Sequence, residues 1–146
     1  MRKITPFLWF DAPLDQVVAY YRSVFGDVRV TAQNPMTATF EIEGQPFLAL
    51  AGGPQFKFNE AVSFFIDCRD QAEVDHYWAR LTADGGQESQ CGWLKDRFGL
   101  SWQVIPETLV RYLRDPDRAK AQRVMDAMLQ MKKIDVAALD RAAAAG

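Results

Sequence analysis

The strongest constraint on this chain is that it repeats itself. Residue n of a first segment falls on residue n + 56 of a second: Leu8 on Phe64, Phe10 on Ile66, Asp11 on Asp67, Val18 on Val74, Tyr21 on Tyr77 and Phe25 on Leu81. Each copy opens with a short apolar run closed by aspartate, at residues 4–10 and again at 61–66. A helical pattern follows in both. In the first, Pro13 stands where the helix begins, and Leu14, Val17, Val18, Tyr21 and Phe25 recur at helical spacing up to Gly26-Asp27. In the second, Asp70 and Glu73 have the spacing of a capping box, and Val74, Tyr77, Trp78 and Leu81 form the buried stripe before Asp84-Gly85-Gly86. Three strands are expected after each helix, at 28–32, 37–42 and 46–51, then at 87–91, 92–95 and 100–105. Residues 96–99 make the last turn.

After Pro106 the pattern becomes helical. Residues 107–114 read as a short helix, and Asp115-Pro116 caps a longer one with Ala121, Val124, Met125, Met128 and Leu129 on one face. The Ala-rich end, 134–146, reads as a third helical piece that frays. The methionine stripe is read first as core packing and next as a dimer contact.

Several function classes are excluded early. Among 146 residues, 17 Lys and Arg against 19 Asp and Glu give a net charge of −2, without the basic excess of a phosphate-tracking nucleic-acid binder. No stretch approaches the roughly 20 apolar residues of a membrane span, and none has the form of a signal peptide. Cys68 and Cys91 form no CxxC pair, so they read as free thiols of a cytoplasmic protein. His76 is the only histidine, which excludes HExxH zincs. No phosphate-binding loop, dinucleotide fingerprint or nucleophile elbow is present; Gly52-Gly53 and Gly85-Gly86 read as turns.

Paired strand–helix–three-strand units of this size resemble the vicinal oxygen chelate superfamily of glyoxalase I, bleomycin-resistance proteins and extradiol dioxygenases. The resemblance is closer to its PhnB-like branch, some of whose members carry a demethylubiquinone methyltransferase label. It is carried by ITPFLWFD at 4–11, ALAGGPQFKFNEAVSF at 49–64, CGWLKDRFGLSWQVIP at 91–106 and RVMDAMLQMKKIDVAALD at 123–140. It implies an α+β fold: two βαβββ modules, about 1–53 and 60–106, form a half-open barrel, with 107–146 a helical extension of the same domain. It also implies a homodimer.

Catalytic members of the superfamily hold a divalent metal with His, Gln or Glu from the first and last strands of each module. Here Gln103 is the one His, Gln or Glu that those strands offer, and the Ser63 hydroxyl is a poor ligand, too few donors for a Lewis-acid site. No metal ligand, cofactor or catalytic residue is therefore assigned, and no glycine-rich methyl-donor loop follows a strand. The expected function is a metal-free dimer binding a small apolar or aromatic molecule, with no nucleic-acid or membrane partner. Candidate pocket residues are Trp9, Phe58, Ser63, Cys91, Trp93, Lys95, Trp102 and Gln103. The alternative is a lyase- or oxidoreductase-like enzyme that uses a metal site not visible in sequence, or Cys91 activated by Lys95 and Arg97. Strand alternation puts Trp102 and Val104 on one face and Ser101, Gln103 and Ile105 on the other, without saying which face is covered.

Overall fold

The computed structural model describes residues 2–146, in two compact units, Met1–Phe58 and Asn59–Gly146. The fold is α+β, and each unit carries one open four-stranded mixed sheet that does not close into a barrel.

In the first unit, β1 (Phe7–Phe10) leads to α1 (Leu14–Val24), then to β2 (Val28–Gln33), β3 (Thr37–Ile42) and β4 (Gln45–Ala51). The sheet order is β1-β4-β3-β2; β1 runs parallel to β4, and the remaining pairs are antiparallel. A parallel pair needs a long crossover, which α1 and the two intervening strands supply. Because side chains alternate across a strand, Leu8, Phe10, Phe40, Phe47 and Ala49 share one face, and all are buried. Val17 and Tyr21 of α1 are fully buried too, and the Tyr21 ring meets Phe10 edge-on at 6.3 Å. Burying a side chain of this kind contributes about 1.5–3 kcal/mol. The first strand is shorter than its apolar run predicts: Ile4 is 86% exposed, and pairing starts at Phe7, after Pro6, which has no N–H to donate.

The second unit repeats the plan: β5 (Ser63–Cys68), α2 (Gln71–Thr82), β6 (Gln87–Glu88), β7 (Trp93–Lys95) and β8 (Ser101–Pro106), in sheet order β5-β8-β7-β6. The capping box forms around Asp70, whose carboxylate accepts from the Glu73 N–H at 3.0 Å, while Glu73 Oε1 accepts from the Arg69 N–H at 2.6 Å. Leu94, Trp102, Val104 and Cys68 are buried on one side of the sheet, and Val74, Trp78 and Leu81 of α2 are buried as well; Tyr77, expected in that stripe, is only half-buried.

One sequence expectation fails here for a local reason. The strand expected at 87–91 stops at Glu88, because Gln90–Trp93 forms a tight turn closed by the Trp93 N–H on the Gln90 carbonyl at 3.0 Å. Its central residues, Cys91 and Gly92, both have positive φ (58° and 85°). The turn expected at 96–99 forms, with the Gly99 N–H on the Asp96 carbonyl at 2.9 Å, and Asp96 is in addition only 2% exposed. It accepts from the Phe98 and Leu100 N–H groups and, at 2.9 Å, from the Trp102 indole, and so ties the β7–β8 turn to the core. The Ala-rich end forms the expected third helical piece. There α5 (Val136–Ala144) buries Leu139 completely and is capped by Asp135, which accepts from the Ala138 N–H.

Ahead of it lie α3 (Glu107–Leu113) and α4 (Arg118–Met128), the latter capped by Asp117 rather than Asp115. Leu109, Val124, Ile134 and Leu139 form a core with Ile105 of β8, against which Met128 and Met131 pack; Leu129, expected on that face, is 52% exposed. Of the expected stripe, Ala121, Val124 and Met128 therefore pack inward, while Met125 is only half-buried. The Gln71 amide fixes the tail to α2, donating to the Ile134 carbonyl at 3.0 Å and accepting from the Val136 N–H at 2.7 Å.

Replacing Asp96 with Ala strands buried donors, and the folded state should lose about 2–4 kcal/mol. Urea unfolding checks this. Adding Trp102→Phe, which removes one stranded donor, should make the double variant less destabilised than the sum of its single changes; strict additivity would separate the two residues energetically.

Candidate functional site

The second sheet has a side that α2 does not cover. Register places Ser63, Ser101, Lys95 and Gln87 in one cross-strand row and Phe65, Gln103 and Trp93 in the next, all facing the same way. The far end of this face is sealed: Ile105, two residues beyond Gln103, is buried in the core of α3–α5. The near end stays accessible, with Phe65 52% exposed and Ser63, Trp93, Lys95 and Gln103 partly so.

Four of the eight sequence candidates therefore come together: Ser63, Trp93, Lys95 and Gln103. Gln103 Nε2 donates to Ser63 Oγ at 2.9 Å, which links β5 to β8 across this face. Lys95 forms an ion pair with Glu60, and its ammonium holds the Glu60 carboxyl below the usual carboxylate range. Ser101 is 1% exposed, and its hydroxyl has no hydrogen-bond partner. A cavity of about 180 Å³ opens here, lined by Glu60, Trp93, Lys95 and Ser101 among others.

Trp102 lies elsewhere, on the α2 side, 4% exposed with its indole on Asp96. Cys91 sits in the turn before β7, half-buried, its N–H on the Met131 carbonyl at 2.8 Å. The cations expected to activate it are engaged elsewhere, Lys95 with Glu60 and Arg97 with Asp84. Trp9 and Phe58 belong to the first unit. The Trp9 indole donates to the Gly53 carbonyl at 2.9 Å and lies so close to Gly52 that any Cβ there would collide with the ring. Phe58 meets Phe10 edge-on at 5.3 Å. Sequence reasoning did not place Ser101, Phe65 or Glu60 among the pocket candidates. The polar alternation Ser101–Gln103 in an otherwise apolar strand was the available signal for the first.

The donor set does not fit the divalent metal of the catalytic superfamily members. β1 and β4 present aromatic and aliphatic side chains apart from Gln45 at the strand start, and the Gln103 amide is bonded to Ser63. Among the described residues, no group of three or more His, Cys, Asp or Glu side chains is placed to hold a metal ion.

An open mixed sheet under one crossover helix, built twice in succession, defines the glyoxalase-like module of the vicinal oxygen chelate superfamily. The family described as 3-demethylubiquinone-9 3-methyltransferase matches residues 2–105, and the chain belongs to that family, the PhnB-like branch. The PhnB protein of Bacillus cereus is 25% identical over 72% of this chain and 99% of its own, with a TM-score of 0.64. A protein from Pseudomonas aeruginosa is 18% identical over 73% of this chain and 98% of its own (TM-score 0.59). The fosfomycin resistance protein FosX of Listeria monocytogenes, solved with Mn(II) and sulfate, is 17% identical over 70% and 87% (TM-score 0.51). The last two show the shared fold alone. No curated protein matches the chain. Among the described residues no helix is long and apolar enough to cross a membrane.

Cys68 yields a pH test of this packing. Burial, reinforced by the nearby Glu73 charge, pushes its thiol from 9.0 up to about 12. Above pH 9 the unfolded chain sheds this proton and the folded chain keeps it, so stability is unaffected below pH 9 and falls above it. Between pH 8 and 10 the natural chain should lose about 1.4 kcal/mol more than Cys68→Ala. Urea unfolding at both pH values measures the difference.

Proposed function

We propose that this protein is a metal-independent, cofactor-free small-molecule-binding homodimer of the cytoplasm, and that its pocket lies on the uncovered face of β5, β8 and β7. The observation that carries this reading is the pair of cross-strand rows in which an exposed Phe65 and half-buried Trp93 flank Gln103, beside Ser63, Ser101 and Lys95. Apolar walls with a few convergent polar groups are the makeup of a small-ligand site. The ligand is accordingly small, with an apolar or aromatic part.

The methyl transfer in the family's description gains no support from the strand-to-helix connections. β1 reaches α1 through Asp11-Ala12-Pro13, and β5 reaches α2 through Arg69-Asp70; neither is a glycine-rich loop at a helix start. The helical tail packs Met128 and Met131 against its own core, which directs the dimer contact elsewhere. Ile4, Phe7, Met36 and Phe56 of the first unit are each more than half exposed, an apolar set suited to the same set on a second copy.

Native mass spectrometry tests both parts. The expected spectrum is a dimer that retains no stoichiometric Mn²⁺, Ni²⁺ or Zn²⁺ after incubation with each, and Phe7→Asp should shift it toward monomer. Uptake of one ion per chain would transfer the assignment to metal-dependent catalysis. A monomer at micromolar concentration would remove the dimer.

A further inference from the structure

The cavity beside β7 holds a feature that ordinary packing does not explain. A buried hydroxyl without a partner costs about 1–3 kcal/mol, and native structures satisfy nearly all such groups. Ser101 Oγ is such a group, and Ser101 is one of the residues lining a cavity. Its cross-strand neighbour is Lys95, directly opposite in an antiparallel pair, which puts the two Cβ atoms about 4.5–5.5 Å apart. Trp93 is two residues from Lys95 on the same face and lines the same cavity. An ammonium and a hydroxyl without a partner thus stand side by side next to an aromatic ring, in a cavity that Glu60 and Glu88 also line.

The ammonium already has an anion, and its identity is informative. Glu60 precedes β5, its side chain is 62% exposed, and it reaches Lys95 from outside the sheet. An ion pair this exposed is worth little, about 0.2–1 kcal/mol, and is readily exchanged. Glu60 shows that a carboxylate fits at this ammonium, while the Ser101 hydroxyl has no partner at all.

We propose that the cavity takes the carboxylate of a small organic acid, with Lys95 Nζ and the Ser101 hydroxyl donating to it, Trp93 packing its apolar or aromatic part, and the Glu60 carboxylate as the displaceable occupant. This rests on the small-molecule reading above and names the class of ligand. On entry the acid exchanges one exposed ion pair for a less exposed one and gives the buried hydroxyl an acceptor. Glu60 returns to water. The site therefore selects against neutral alcohols, which cannot replace Glu60; an amine meets the Lys95 charge and pairs with Glu60 only if that carboxylate leaves Lys95.

The test is a ¹H–¹⁵N NMR titration of the intact chain with three probes of one shape: benzoate, benzyl alcohol and benzylammonium. Benzoate should shift the Trp93 indole and the Lys95 and Ser101 amides saturably, and the other two should bind far more weakly. Ser101→Ala should weaken benzoate about tenfold, the loss of a hydrogen bond to a charged group. Lys95→Met should abolish saturation. Glu60→Gln should tighten benzoate about two- to fivefold by removing its competitor. Tighter binding of benzylammonium or benzyl alcohol at these signals, or weaker benzoate binding in Glu60→Gln, would overturn the carboxylate class and leave the small-molecule reading standing. If none of the three probes moves these signals, both fall.

Discussion

The parallel pairing of the first and last strands in each unit is the constraint from which the other features follow. A parallel neighbour cannot be reached by a tight turn, so the chain between β5 and β8 must leave the sheet, cross it as a helix and return. That helix covers one face and leaves the other to be dealt with. Register does the rest: Ser63 opposite Ser101 and Phe65 opposite Gln103 put the polar and aromatic residues of two distant segments side by side on the uncovered face. A slip of one residue would turn Gln103 under α2 and Trp102 into the open, which the buried Asp96–Trp102 hydrogen bond opposes.

The C-terminal helices change what that face can be. In the second unit they bury Ile105, and the Cys91-Gly92 turn donates its N–H groups to the Met131 and Lys132 carbonyls. Gly92 has no room for a side chain there, because a Cβ would press on Ile105 and Ile134. The extension therefore ends the face and leaves a confined set of side chains near Ser101. The same packing turns Ala121, Val124 and Met128 of the apolar stripe inward and leaves Leu129 exposed.

Membership in a superfamily known for divalent metals does not carry the metal over to this chain. The strands that would supply ligands hold their places in the fold, but their side chains are Phe, Leu, Trp and Ala, with Gln103 bonded to Ser63. The fold preserves a concave, half-polar face, and what that face binds is set by the few side chains on it.

Much of this was legible before the structure. The 56-residue offset, the two capped amphipathic helices and the alternation of β8 are local patterns, set by residues a few positions apart, and they determined the βαβββ plan and four of the residues that meet on the open face. What lay beyond the sequence depended on distant partners. The strand expected at 87–91 gave way to a turn whose Cys91 and Gly92 N–H groups bond to the tail; Asp96 joined the core by accepting from the Trp102 indole; and Ser101 is buried without a partner while its cross-strand neighbour Lys95 pairs with Glu60. Local spacing decides which face a side chain occupies. Only the closed structure decides whether that face is covered, and whether a polar group on it finds a partner.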